Sequence, residues 1–71
     1  MSLADQEIGF QGVIRDLVGD ESYISRLREL GFVRGEKIAL RGMAPFGGPL
    51  MIEVRGAVVA LRRKEAECIQ V

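Results

Sequence analysis

The fold is decided by residues 26–35, which read RLRELGFVRG. An apolar stripe at helical spacing includes Leu27 and ends just before Gly31, where a helix that stops needs a left-handed backbone. Phe32 then occupies the position at which a Schellman motif returns an apolar residue to Leu27. A second glycine, Gly35, precedes a change to strand periodicity. These residues predict a short helix that is joined by a rigid corner to the strand that follows it.

The remaining elements follow from periodicity on either side of this corner. Ser22 is the predicted N-cap of a helix over residues 22–30. Apolar and polar residues alternate most clearly from Leu50 to Arg55, as in a half-buried strand, and Arg55-Gly56 predicts a tight turn after it. One helical turn is predicted over residues 64–67. The predicted strands cover residues 11–18, 37–41, 50–55, 57–62 and 69–71.

Five short strands with a helix between the first two predict a small, strongly bent antiparallel barrel. A chain of 71 residues buries roughly 60% of its unfolded surface, and barrel closure would hide the edges that so small a sheet exposes. The alternative is an open α+β meander with the helix on one face. We expect one domain over residues 1–71, in which residues 1–7 have no assigned element.

Composition excludes several classes of function. Ten basic and ten acidic residues cancel, so no strong field attracts nucleic acid or anionic lipid. Histidine is absent, and the single cysteine, Cys68, is expected to be a buried small hydrophobe in a reducing cytoplasm. The carboxylates are scattered singly along the chain. We therefore expect a soluble protein that is not an enzyme and has no catalytic residues, no cofactor and no membrane-spanning segment.

The chain resembles the ferrous iron transport protein A (FeoA) family from residue 8 to residue 71. The resemblance rests on six motifs in order: RLxELGFxxG at 26–35, APFGGP at 44–49, VRG at 54–56, ALR at 60–62, EA at 65–66 and IxV at 69–71. It implies an SH3-like barrel and a cytoplasmic accessory protein of bacterial ferrous iron uptake. The implied partner is FeoB, a membrane permease with a GTPase domain.

The residues leave two other functions open. One is a regulatory barrel domain related to the C-terminal domain of iron-dependent repressors. The other is a weak transition-metal carrier. Borderline metals favour nitrogen and sulfur ligands, whereas this chain offers only carboxylates such as Asp16, Glu21 and Glu53, so no metal site is assigned.

The loop of residues 44–49 is the strongest candidate for a contact with a partner. Phe46 lies where a turn usually has a polar residue, and Pro45 and Pro49 stiffen the backbone around it. Its ring either folds back to cap an end of the barrel or forms an exposed apolar contact. The predicted partner surface consists of Met43, Phe46, Leu50 and Met51 with Arg26 and Arg41 at its rim. Residues with a structural role are Leu27, Gly31, Phe32, Gly35, Pro45 and Gly56.

The basic run Arg62-Arg63-Lys64 is interpreted as a solvated strand end, because no aromatic residues lie beside it to stack on bases. Weak self-association through exposed strand edges is also open. The contact surface itself is assigned to the loop.

Overall fold

The chain folds into two antiparallel sheets and two helices. The computed structural model describes residues 1–71. In chain order the elements are a 3-10 turn (Leu3–Asp5), β1 (Gln11–Val13), β2 (Asp16–Leu17), α1 (Glu21–Glu29), β3 (Lys37–Met43), β4 (Leu50–Val54), β5 (Ala57–Leu61), α2 (Arg63–Ala66) and β6 (Ile69–Gln70). The larger sheet has the order β1-β3-β4-β5, and β2 pairs with β6 in the smaller one. No helix is both long and apolar enough to cross a membrane.

The predicted corner after α1 is confirmed. Gly31 has a φ of 101°, and its N–H donates to the carbonyl oxygen of Arg28 at 3.1 Å. The N–H of Phe32 donates to the carbonyl oxygen of Leu27 at 2.9 Å, which completes the hydrogen bonds of a Schellman motif. Both Leu27 and Phe32 are fully buried in the core. The corner therefore fixes the exit of α1 through two buried side chains.

The predicted N-cap of the helix is wrong by two residues. Asp20, not Ser22, is the N-cap, and α1 begins at Glu21. The Oδ1 atom of Asp20 accepts the N–H of Ser22 at 2.9 Å and its hydroxyl at 2.6 Å. Aspartate and serine are both favoured at this position. The carboxylate is the group that reaches a free backbone donor of the first turn, and Ser22 lies inside that turn.

The predicted first strand over residues 11–18 is two strands in different sheets. The N–H of Ile14 donates to the carbonyl oxygen of Glu36 at 3.0 Å, whereas the N–H of Arg15 donates to that of Gln70 at 2.7 Å. The chain thus leaves the larger sheet and joins the smaller one between these two residues. Ile14 is buried at this crossing.

This split also makes the prediction of a closed five-stranded barrel wrong. There are six strands, and α1 lies between the second and third. The strands β1 and β5 end the larger sheet and do not pair with each other, because the chain after Val13 turns away to meet β6. The mainly β character and the β3-β4-β5 meander agree with the sequence. In the turn between β4 and β5, where the sequence predicts a tight turn, Arg55 and Gly56 have φ values of 53° and 81°.

The core lies between the two sheets and the helices. It includes Leu3 of the 3-10 turn, which is fully buried, so the N-terminal segment without an assigned element contributes to the core. Cys68 is 5% exposed, which confirms its expected burial.

Candidate partner-binding surface

Phe46 lies at the tip of the loop between β3 and β4 and is completely exposed. Its relative accessible surface is 104%, so the interpretation that its ring caps the end of a barrel is wrong. Its φ is 60°, in the left-handed region that bulky side chains rarely occupy. An L-residue pays about 1–2 kcal/mol in this region. An exposed ring on a strained backbone is the most unusual feature of this loop.

Hydrogen bonds close the loop around Phe46. The N–H of Gly48 donates to the carbonyl oxygen of Pro45 at 3.2 Å, and the N–H of Ala44 donates to that of Pro49 at 2.9 Å. Phe46 and the next residue, Gly47, both have positive φ, which is the pattern of a type I′ turn. The backbone is therefore closed and restrained by two prolines, while the ring points into solvent.

The apolar residues that flank the loop divide between surface and core. Met51 is 37% exposed and lies on the outer side of β4, whereas Leu50 is fully buried. The assignment of Leu50 to the partner surface is therefore wrong, because its side chain is part of the core. Met43 is half-buried, and its Sδ lies 3.9 Å from Nη2 of Arg63.

The two arginines predicted at the rim are both engaged in ion pairs. Nη1 of Arg26 lies 2.6 Å from Oε2 of Glu65, and Nε of Arg41 lies 2.7 Å from Oε1 of Glu53. The second pair lies on the outer face of the larger sheet, across β3 and β4. Neither arginine lines the groove beside the loop.

The cations beside the loop are instead those of the basic run 62–64. An open groove is lined by Tyr23, residues 47–49, residues 62–64 and Glu67. Arg62 and Lys64 are exposed and form none of the ion pairs in the structure.

The sequence contained a signal for this groove. Leu50, which follows the loop, pairs with Leu61 at the end of β5. Pairing the predicted strands as a hairpin around Arg55-Gly56 therefore places the residues after Leu61 beside the loop. The surface that results has an aromatic tip and a cationic side, and it fits an apolar pocket with carboxylates at its margin.

The carboxylates considered as metal ligands do not converge. Asp16, Glu21 and Glu53 each lie beside an arginine, at 3.2, 3.7 and 2.7 Å respectively. Nowhere in residues 1–71 do three or more His, Cys, Asp or Glu side chains form a group that could hold a metal ion. The N–H of Leu17 and the guanidinium of Arg34 hold the pKa of Asp16 below its ordinary value.

The thiol of Cys68 is not activated. Burial raises its pKa above the ordinary value of a cysteine, and its Sγ lies 3.6 Å from the carbonyl oxygen of Lys64. A nucleophilic cysteine needs the opposite shift, because the thiolate is the reactive form.

Comparison with known proteins gives a family and a fold. The model of the FeoA domain matches residues 1–71. A curated relative, the Fe(2+) transport protein A/Fe(2+) transporter FeoB fusion protein of Porphyromonas gingivalis (strain ATCC BAA-308 / W83), is 34% identical over 71 residues. That match covers 100% of this chain and 8% of the relative, so the chain spans a small part of that protein's length.

Two solved structures place the fold. The crystal structure of Stenotrophomonas maltophilia FeoA complexed with zinc, described as a procaryotic SH3 domain protein, superposes with a TM-score of 0.84 at 31% identity. The match covers 99% of this chain and 87% of that one. A manganese-dependent transcriptional repressor superposes with a TM-score of 0.88 at 17% identity, over 97% of this chain and 39% of that one. At that identity the likeness shows the fold alone.

Proposed function

The chain belongs to the FeoA family, and from this premise we propose that it is an accessory protein of bacterial ferrous iron uptake that binds and modulates the permease FeoB on the cytoplasmic side of the membrane. The fusion protein of Porphyromonas gingivalis supports the pairing, since its name joins both components in one polypeptide. Fusion holds two modules at a high effective concentration. Such an arrangement favours modules that act on each other.

The observation that carries the proposal is the exposure of Phe46 on a left-handed backbone. The ring contributes nothing to the core, and its conformation costs free energy that a glycine or asparagine would save. Strain of this kind is concentrated at functional sites. Aromatic side chains that fill a partner's pocket are also the commonest anchors of protein interfaces. We infer that Phe46 inserts into an apolar pocket of the permease.

The geometry around Phe46 supports a pre-organised contact. The loop is closed by the hydrogen bonds of Ala44 and Gly48, so little backbone entropy is lost when the ring is held by a partner. Arg62 and Lys64 lie in the adjacent groove without ion-pair partners. They would meet carboxylates at the margin of the pocket and fix the orientation of the complex.

The proposed role is that of a binding module, not of an enzyme, and it requires no cofactor. The sequence supplies no histidine to act as a general base near neutral pH. Its one thiol has a raised pKa. The carboxylates that might serve in acid-base chemistry lie beside arginines.

The test is the affinity of the full chain for full-length FeoB in detergent, measured for Phe46→Ala. We expect a loss of about 2 kcal/mol in binding free energy, or more than tenfold in Kd, with an unchanged unfolding temperature. Ile8→Ala is the matched control, because Ile8 is a 60% exposed apolar residue outside the groove beside the loop. Equal affinities of Phe46→Ala and wild type for FeoB would refute the proposal.

Titration of the chain with Fe²⁺ or Mn²⁺ tests the rival metal carrier. We expect no one-to-one binding in the micromolar range, because scattered carboxylates beside arginines make a poor site for these ions. Micromolar binding by the monomer would favour the carrier over the accessory protein.

A further inference from the structure

The outer edge of β5 is an unpaired strand edge. This strand, Ala57–Leu61, is the last in the larger sheet and pairs with β4 only. None of its residues takes part in the backbone hydrogen bonds formed outside the helices and strands. One side of the strand therefore presents its backbone groups to solvent.

The register identifies which groups these are. A two-residue turn at Arg55-Gly56 pairs Val54 with Ala57, and this pair exchanges hydrogen bonds in such a hairpin. Bonded and non-bonded pairs alternate along an antiparallel ladder. Ala57, Val59 and Leu61 therefore direct their N–H and C=O groups toward β4. Val58 and Ala60 direct theirs outward, which leaves two donors and two acceptors free at alternate residues.

This edge lacks the usual devices that prevent strand addition. Natural edges carry charged side chains, proline, a bulge or a covering element. The sequence of β5 is AVVAL, and its register with β4 runs without interruption. Val58 is 55% exposed. The edge is thus apolar, regular and open to an extended chain.

Charges at the two ends of β5 determine which partner fits this edge. Arg55 precedes the strand, and Arg62 and Lys64 follow it, all of them exposed. Arg62 and Lys64 form no ion pair, and Arg55 makes only a long contact of 3.7 Å with Glu36 while its side chain stays 67% exposed, so its guanidinium is open to a further carboxylate.

A second copy paired antiparallel about a two-fold axis at Val59 would satisfy the free groups of residues 58 and 60, but it would bring Arg55 of each copy toward the basic run 62–64 of the other. Like charges brought together across an interface repel each other. A segment with an apolar centre and carboxylates at its ends has the complementary pattern.

We propose that the outer edge of β5 binds an extended, acidic-ended peptide segment of a partner by strand addition. The outward N–H and C=O groups of Val58 and Ala60 supply the backbone hydrogen bonds. Arg55 and Arg62 contact the side-chain carboxylates at the two ends of the segment. This inference goes beyond the proposed function, because it concerns the edge of β5, which shares only Arg62 with the surface proposed around Phe46, and names the chemistry of the bound segment. Its test contains no permease and can fail while the binding of FeoB by Phe46 stands.

The test is amide hydrogen exchange of the full chain, followed by NMR, with a defined peptide. The probe is a capped eight-residue peptide of alternating valine and threonine with glutamate at both ends. At a peptide concentration ten times its Kd, exchange should slow by about tenfold at Val58 and Ala60. The amides of Ala57, Val59 and Leu61 already bond to β4 and should change much less. This alternation is the signature of strand addition.

Three variants and one control peptide make the test specific. Ala60→Pro removes an outward N–H at an edge position that tolerates proline, and it should abolish the protection of Val58, whereas Ala60→Ser should not. The same peptide with lysine at both ends should not protect the edge. Arg62→Glu should weaken binding of the glutamate-ended peptide by about threefold or more, and it remains informative if Ala60→Pro does not fold.

Three results would overturn the proposal. The first is the absence of slowed exchange at Val58 and Ala60 with the glutamate-ended peptide. The second is equal protection by the lysine-ended peptide. The third is protection that rises with protein concentration when no peptide is present, which would identify a second copy as the occupant.

Discussion

Arg26 and Glu65 join the two helices through a 2.6 Å ion pair between residues 39 positions apart. The side chain of Glu65 is 2% exposed, whereas that of Arg26 is 52% exposed. The other carboxylate oxygen of Glu65 accepts the N–H of Arg62 at 3.0 Å, at the start of α2. One buried carboxylate thus holds α2 against α1 and positions Arg62 beside the loop that carries Phe46.

Removing the exposed partner should destabilise the protein. In Arg26→Ala, Glu65 stays buried without its counter-charge, and we expect the free energy of unfolding to fall by about 1–2 kcal/mol. This is less than for a fully buried pair, because water reaches Arg26. Urea unfolding followed by circular dichroism measures the change. Arg28→Ala is the control, since Arg28 and Glu21 are exposed and 3.7 Å apart, and its effect should stay within about 0.5 kcal/mol. Equal effects of the two substitutions would contradict the assigned role of Glu65.

Gly31→Val should be strongly destabilising. The φ of 101° at Gly31 forces a β-branched residue into a left-handed backbone, at a cost of about 1–3 kcal/mol. The nearest atom to a Cβ there is Cδ of Arg55 at 3.4 Å, so conformation and not collision is the cause. Gly31→Asn is the control, because asparagine tolerates this region better. Thermal unfolding should rank wild type above Gly31→Asn and Gly31→Asn above Gly31→Val. A Gly31→Val protein as stable as wild type would exclude a Schellman corner.

The corner after α1 could be predicted because local residue types determine it. The division of the predicted first strand could not be predicted, because it depends on pairing between residues that are far apart in the sequence. Gly31 and Phe32 follow a helix end in a pattern that few other structures satisfy. No glycine or proline marks the division between Ile14 and Arg15, and the apolar residues Leu17 and Val18 follow soon after it. The partners that separate them, Glu36 and Gln70, lie far along the chain. The burial of Leu3 depends in the same way on distant elements.

The partner surface was predicted in part, and its errors have identifiable sources. Leu50, Ile52 and Val54 alternate with polar or exposed positions, and all three are buried. The period of two therefore already placed Leu50 inward, and its assignment to the surface conflicted with that pattern. The exposure of Phe46 could not be deduced, because a phenylalanine in a loop can either fold back or point outward. The type I′ turn formed with positive φ at residues 46 and 47, which holds the ring in solvent, has no unambiguous mark in the sequence.

Stability should depend on acid pH through Asp20. The hydroxyl and the N–H of Ser22 hold the pKa of Asp20 below its ordinary value. A carboxyl whose pKa is lower in the folded state stabilises the protein above its unfolded pKa of about 3.9, and this stabilisation is lost as pH falls through the folded pKa. Asp20→Asn keeps an oxygen acceptor at the N-cap but cannot titrate. Its free energy of unfolding should therefore fall less steeply than that of wild type as pH decreases below about 4.

The control for this pH dependence is Asp20→Ala. This variant loses both the hydrogen-bond acceptor at the N-cap and the carboxylate that titrates, so it should be less stable than Asp20→Asn at neutral pH. Urea unfolding at several pH values separates the two effects. Identical acid dependence of wild type and Asp20→Asn would show that the hydrogen bonds to Ser22 do not favour the ionised form of Asp20 in the folded protein.

Phe46 should lower the stability of the folded protein and raise its affinity for FeoB, and Phe46→Asn tests both effects in one protein. Asparagine occupies the left-handed region at lower cost than phenylalanine, and the exposed ring contributes no core contact. We expect Phe46→Asn to gain about 0.5–1 kcal/mol, which raises the Tm of so small a domain by a few degrees. The same substitution should weaken binding to FeoB, because the aromatic anchor is lost. Phe46→Leu keeps an apolar side chain on the strained backbone, so its Tm should match that of wild type. A fall in the Tm of Phe46→Asn would mean that the ring stabilises the folded chain, and the reason for assigning Phe46 to a partner would disappear with it.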